Sequence, residues 1–148
     1  MLDAQGTTPS RPWHLWPIGI VGGLWTSMGA VSFVLTQMNV EAVMREFPPP
    51  QRAYFESFPW WADASWAIGV FGGVTGCLLL LLARRRAFPV LLVSVIGAIV
   101  TNLGGLLLLG GLEVMGGPSE LALTVVPIVF AALLAFYARA MCKRGVLR

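Results

Sequence analysis

The chain has 148 residues, of which 57% are hydrophobic and only 11% are charged, and its formal net charge is +3. Soluble domains carry about 25% charged residues, so this composition excludes an ordinary soluble domain and predicts a membrane protein. The basic residues stand at the ends of apolar stretches, where membrane orientation accounts for them, and nucleic-acid binding is not expected. We therefore expect one membrane domain over residues 1–148, with the lipid bilayer around it.

The amino-terminal region contains a polar tail and the first membrane helix. Residues 1–12 include two prolines, two threonines and a glycine, which predicts a disordered tail. The first apolar stretch predicts a membrane helix over about residues 16–38. Gly19 and Gly23 are four residues apart, so they share a helix face and leave it without side-chain bulk. In lipid, such a face lets another backbone approach closely.

The longest polar segment, residues 39–59, follows this helix and carries three glutamates against two arginines. Cytoplasmic loops carry an excess of lysine and arginine, so this acidic segment is predicted to lie outside the cell. Residues 51–58 place three aromatic side chains on one helical face, which favours a short amphipathic helix on the outer surface. We expect the segment from Glu41 to Trp61 to supply specific contacts with a partner.

The second apolar stretch, about residues 62–83, ends at three consecutive arginines, which are Arg84, Arg85 and Arg86. An arginine at the bilayer centre costs about 2.5–3.5 kcal/mol on insertion scales, so this triplet predicts a cytoplasmic end. Gly69 and Gly73 repeat the spacing found in the first helix. The short turn at the arginines predicts an antiparallel hairpin of the second and third helices.

The third and fourth apolar stretches complete the predicted fold. The third predicts a helix over about residues 88–112, with Gly97 and Gly104 on one face. The fourth, about residues 121–138, is barely long enough to span a bilayer at about 1.5 Å per residue. Further basic residues follow it, so four helices with both termini in the cytoplasm satisfy every charge cluster. The predicted fold class is an all-α, four-helix membrane bundle in the bacterial cytoplasmic (inner) membrane.

Four residues are candidates to line a solute path or to form polar contacts between helices: Asn102, Thr101, Asp63 and Trp61. Asn102 is the most polar residue deep in a predicted span, and a hydrogen bond to a neighbouring helix is its simplest interpretation. Asp63 and Trp61 lie at the outer surface. They could bind a cation or a sugar ring, or they could serve as a first-turn acid and an interfacial anchor.

Neither catalysis nor a cofactor is expected. One histidine and two scattered cysteines cannot form a zinc site of normal ligand number and spacing. The deep parts of the spans hold no ionisable side chain, which disfavours coupling to an ion gradient.

Three sequence segments form an unusual order: a polar aromatic loop, a glycine-rich helix and an arginine turn. They are QRAYFESFPWW at residues 51–61, WAIGVFGG at residues 66–73 and RRRAFP at residues 84–89. With the WTSMG stretch that starts at Trp25, they resemble an uncharacterised family of short bacterial four-helix membrane proteins, some of which carry the label "sugar transporter". The resemblance covers roughly residues 15–100. It implies the four-helix membrane fold and, through that label, transport of a sugar-like solute.

Two functions follow from these observations. The first is a non-enzymatic interaction or accessory subunit that packs through its glycine-rich helix faces. Such faces on three helices exceed what a small bundle obviously needs, which predicts a homo-oligomer or a larger membrane-protein partner. The second is an oligomeric permease for a small, sugar-like solute, lined by the four polar candidates.

Overall fold

The computed structural model describes residues 11–38, 41–114 and 117–148, and helices form nearly all of these ranges. In chain order they are α1 (Leu15–Gln37), α2 (Glu41–Met44), α3 (Pro49–Glu56), α4 (Trp60–Leu81), α5 (Ala87–Leu108), α6 (Gly111–Val114) and α7 (Pro118–Lys143). In the described part of the chain, four helices (α1, α4, α5 and α7) are long and apolar enough to cross a membrane. The predicted all-α fold with four membrane helices is therefore confirmed. Most of the predicted disordered tail, residues 1–10, lies outside the described residues.

The last two membrane helices differ in length from the sequence prediction. α5 ends at Leu108 rather than near residue 112, because Gly110 adopts a left-handed φ of 72° that a continuing helix cannot accommodate. The short helix α6 follows as a separate element. α7 runs from Pro118 to Lys143, so the prediction of a barely spanning fourth helix was wrong. Its basic last turn is compatible with a helix because cations are favourable near a helix carboxyl end.

The four long helices form an antiparallel bundle with two chemically different ends. The basic end carries Arg84–Arg86 and the last turn of α7, and the acidic end carries the segment from Glu41 to Asp63. α4 and α5 form the predicted hairpin and share the most extensive contact, while α1 packs on α4 and α7 packs on α5. The turn between α4 and α5 includes Ala83 at a φ of 54°.

The contact between α4 and α5 is a contact of two backbones. A Cβ atom added to Gly97 would lie 2.7 Å from both the amide nitrogen of Gly69 and the carbonyl oxygen of Ser65. A Cβ atom added to Gly69 would lie 3.2 Å from the amide nitrogen of Ala98. Two of the predicted packing glycines therefore face each other across this contact.

The remaining predicted packing glycines receive side chains from neighbouring helices. Gly19 lies under Leu81, with 2.5 Å from an added Cβ to a leucine methyl group, and Gly73 lies under the Thr26 methyl group at 2.6 Å. Gly104 lies under the Trp61 ring at 3.0 Å. Gly23 is the loosest of the set, since the nearest atom to its added Cβ is the Cβ of Cys77 at 3.8 Å.

All six glycine positions are thus used, to different degrees, inside a single chain. Aligned glycines on adjacent helices, or a glycine beneath a bulky side chain, account for these faces by packing within one chain. The homo-oligomer or membrane-protein partner stays a prediction, and it now lacks this support.

The best-packed core lies at the basic end. Leu15, Leu80, Leu91 and Leu147 are at most 1% exposed there. The residues after α7 turn back to close this end: the Arg85 amide donates to the Arg148 carbonyl at 2.9 Å, and the Arg148 amide donates to the Ala83 carbonyl at 2.8 Å. These two bonds hold Leu147 in the core, among the residues that follow the predicted fourth helix.

Candidate functional site

Thr101 is the predicted polar candidate that makes a buried hydrogen bond between helices. Its Oγ1 lies 2.8 Å from the Oγ of Ser65 across the α4–α5 contact, and both side chains are buried. Each hydroxyl also lies near a carbonyl of its own helix, at 2.9 Å for Ala62 and 3.0 Å for Gly97. One hydroxyl therefore donates to the other, and the acceptor donates to its own helix. Such a bond within a membrane is worth about 0.6 kcal/mol on average.

Within the part of the chain that the structure describes, Asn102 does not make the predicted bond to a neighbouring helix. Its Nδ2 donates to the Ala98 carbonyl at 2.8 Å, four residues earlier in α5. The side chain is half-buried, and this bond satisfies one amide donor without joining two helices. The expectation of an interhelical Asn102 was wrong because the neighbouring Thr101 occupies the face of α5 that meets α4.

The sequence did not predict a second polar contact between α4 and α5. The Ser94 hydroxyl of α5 donates to the Gly69 carbonyl of α4 at 2.5 Å, and Ser94 is 2% exposed. The glycine-to-glycine approach brings this carbonyl within reach of a short side chain. A serine on the same side of a helix as Gly97 is the signal that could have identified it, since the two residues are three positions apart.

Asp63 and Trp61 lie at the acidic end but contact different helices. Asp63 is in the first turn of α4, and its Oδ1 accepts a hydrogen bond from the Gln37 Nε2 at the end of α1, at 2.7 Å. Trp61 lies half-buried against Gly104 of α5. The cation or sugar site considered for this pair stays a prediction, since Asp63 contacts α1 while Trp61 packs on α5.

The segment from Glu41 to Trp61 is held in place by aromatic rings. Tyr54, 9% exposed, places its hydroxyl against Gly105 and Gly111, and burial raises the pKa of this phenol. Phe55 stacks on Trp66 of α4 with ring centroids 6.0 Å apart, and Trp66 meets Phe33 of α1 at 5.2 Å. We call this set the aromatic cap; its members are Phe33, Phe47, Tyr54, Phe55, Phe58 and Trp66.

The aromatic cap packs the predicted surface helix against the acidic end of the bundle. α3 covers Pro49–Glu56, close to the predicted residues 51–58. Its outward side carries an Arg52–Glu56 ion pair at 2.9 Å, and both side chains are about half exposed. Trp60, at the start of α4, is 81% exposed. The inner side of the segment is therefore used in folding, while charged groups and one tryptophan remain available outside.

An apolar groove opens between α1 and α7 in the half of the bundle nearest the basic end. Its volume is about 440 Å³, and its lining includes Pro17, Ile18 and Val21 of α1 and Phe130, Leu133 and Tyr137 of α7. None of the four polar candidates is among the residues that line it. The ring contact between Trp25 and Phe130, 5.2 Å between centroids, lies at one end. The other end lies at Tyr137, whose hydroxyl lies 2.6 Å from the His14 Nδ1.

The four polar candidates are distributed over the α4–α5 contact and the acidic end, away from this groove. Within residues 11–38, 41–114 and 117–148, no group of three or more histidine, cysteine, aspartate or glutamate side chains could hold a metal ion. No protein-family model, curated protein or solved structure matches this chain. The resemblance drawn from the sequence segments stays a prediction.

Proposed function

We propose that this membrane protein is a non-enzymatic interaction or accessory subunit. The observation that carries the proposal is that polar side chains of the membrane helices are engaged in holding the bundle together. Thr101 is bonded to Ser65, Ser94 to a backbone carbonyl of α4, and Asp63 to the end of α1. A solute path through one copy would need such groups to face water, whereas an interaction subunit needs only a rigid surface.

The segment from Glu41 to Trp61 is the surface that best fits this role. The aromatic cap fixes its backbone before any partner arrives, which lowers the entropy cost of binding. Trp60 is large, amphipathic and 81% exposed, and tryptophan is enriched among the residues that dominate binding energy. Alternatively it anchors the helix at the membrane interface, and the two roles predict different outcomes for its replacement.

The orientation that goes with this role places both termini in the cytoplasm of a bacterium, in the inner membrane. Support comes from charge: Arg11, Arg84–Arg86 and the four basic residues from Arg139 onward are at the basic end. A Trp60→Cys substitution in a variant lacking Cys77 and Cys142 tests it. A membrane-impermeant maleimide should label this cysteine in intact cells, and labelling only after lysis would contradict the orientation.

The partner is tested by extracting the tagged full-length protein from its native membrane in a mild detergent and weighing the intact particle. We expect a second membrane protein in the particle, and we expect Trp60→Ala to reduce its recovery several-fold. Trp13→Ala is the matched control, because Trp13 is also 81% exposed but lies at the basic end. Tyr54→Ala is a poor test, since removing a buried ring would disturb the aromatic cap itself.

The other outcomes decide against the proposal. A monomer with no retained protein partner would overturn it. A homo-oligomer that carries sugar across liposomes, with flux falling on Asn102→Leu, would establish the oligomeric permease instead. In that oligomer the Asn102 amide would have to leave the Ala98 carbonyl and face a path between copies.

A further inference from the structure

We propose that the groove between α1 and α7 holds an acyl chain of one anionic phospholipid, with the headgroup phosphate at Arg11 and Arg144. The proposal rests on the membrane location of the bundle and is independent of the accessory role. It concerns a site of defined shape and charge rather than the general coat of lipid around a membrane helix.

The shape of the groove suits a hydrocarbon chain. Its walls are the apolar side chains of α1 and α7, including Ile18, Val21 and Leu133. α1 and α7 meet through large side chains rather than through close backbones, so a channel remains between the two helices. From His14 to Trp25 the helix rises about 16 Å, at about 1.5 Å per residue. The groove therefore runs along the helices, in the direction in which an acyl chain lies in a bilayer.

The end of the groove nearest the membrane surface is polar. His14 and Tyr137 meet there at 2.6 Å, so a hydrogen-bonding pair stands where the chain of a lipid gives way to its headgroup. Trp13 lies edge-on to His14 with ring centroids 6.0 Å apart and is 81% exposed. Tryptophan at this position is typical of the membrane interface, which sets the depth of the groove relative to the headgroups.

The positive charges near the polar end of the groove favour an anionic headgroup. Arg11 stands three residues before His14, and Arg144, the residue that follows the end of α7, is close enough to Tyr137 for its charge to act on that side chain. Both arginines are exposed. In the described part of the chain the acidic side chains lie at the opposite end, from Glu41 to Asp63 and at Glu113. A phosphate at the groove mouth therefore meets cations with no nearby carboxylate among the described residues to compete for them.

The test is native mass spectrometry of the full-length protein in detergent, titrated with phosphatidylglycerol or with phosphatidylcholine of identical acyl chains. We expect one phosphatidylglycerol to be retained, at least about fivefold more tightly than phosphatidylcholine, since each nearby basic residue contributes about that factor. Leu133→Trp should fill the groove and abolish this retention. Leu123→Trp is the matched control, because Leu123 is 68% exposed on the same helix and does not line the groove.

A second pair of variants tests the headgroup. Arg144→Gln should lower the preference for phosphatidylglycerol about fivefold, whereas Arg139→Gln, with the same change in charge, should leave it intact. If Leu133→Trp fails to fold, Val21→Trp fills the groove from the side of α1. Equal retention of the two lipids, or equal effects of the lining and control variants, would overturn the proposal. A dimer that Leu133→Trp abolishes would show instead that a second copy occupies the groove.

Discussion

The contact of the α4 and α5 backbones makes a sharp prediction about Gly97. A Cβ atom at this position would lie 2.7 Å from two backbone atoms of α4, and backbone cannot rotate away as a side chain can. Gly97→Ala must therefore push α4 and α5 apart. That displacement also lengthens the hydroxyl contact between Ser65 and Thr101 and the bond from Ser94 to Gly69.

The magnitude follows from these contacts. Overpacking by one methyl group costs about 1–3 kcal/mol in a well-packed core. The two polar contacts add about 0.6 kcal/mol each if they are lost. Alanine offsets about 0.8–1.0 kcal/mol of this through its better helix propensity. We expect the free energy of unfolding to fall by about 1–3 kcal/mol.

The assay is reversible unfolding of the full-length protein in mixed micelles titrated with a denaturing detergent, followed by tryptophan fluorescence. Gly23→Ala is the matched control, because its added Cβ meets only the Cβ of Cys77 at 3.8 Å. Gly69→Ala, with its nearest contact at 3.2 Å, should fall between the two. If Gly97→Ala unfolds at the same denaturant fraction as Gly23→Ala, the two backbones are not in contact and the reasoning fails.

Three further predictions follow from the described contacts; the first two use the same unfolding assay and the third uses an alkaline titration. Thr101→Val should lower the free energy of unfolding by about 0.6 kcal/mol. Asn102→Leu should change it less, because of these two residues it is Thr101 that bonds to another helix. A larger loss for Asn102→Leu than for Thr101→Val would contradict this assignment. Leu147→Ala should lower the free energy of unfolding by about 2–5 kcal/mol, because Leu147 is 0% exposed. The control Leu82→Ala, at a site 62% exposed, should lower it little. Equal losses for the two variants would show that the last residues are not packed. Burial raises the pKa of Tyr54 above the value it has when unfolded, so its contribution to stability is complete below a pH of about 10 and is lost as the pH rises through the raised pKa. The tyrosinate absorbance of Tyr54 should therefore develop late in an alkaline titration and be missing in Tyr54→Phe, and titration at the ordinary pKa would refute its burial.

The four membrane helices could be predicted from sequence because each depends on a local property. An apolar stretch of about twenty residues can satisfy its backbone in lipid only as a helix, so length and composition are sufficient. The hairpin of α4 and α5 followed from the short turn at Arg84–Arg86. The end of α7 was missed because the prediction stopped at the first charge, although cations favour the last turn of a helix.

The candidate polar site could be predicted less well, because adjacent residues on one helix face different neighbours. Thr101 and Asn102 are consecutive, so they point about 100° apart around α5, and which of them meets α4 depends on the rotation of the helix. Small residues at Gly97 and Gly69 set that rotation by allowing the two backbones to touch. The sequence could identify these glycines as packing residues but not their partners.

By itself, the sequence determined that this chain is a four-helix membrane protein, because hydrophobic length is a property of each segment alone. Only the tertiary structure decided that the glycine faces pack against other helices of the same chain. It also decided that His14 meets Tyr137 beside an apolar groove and that Leu147 is buried at the basic end. The physical reason is that these contacts join residues far apart in the chain. Their formation depends on how the helices pack, which no single stretch of sequence specifies.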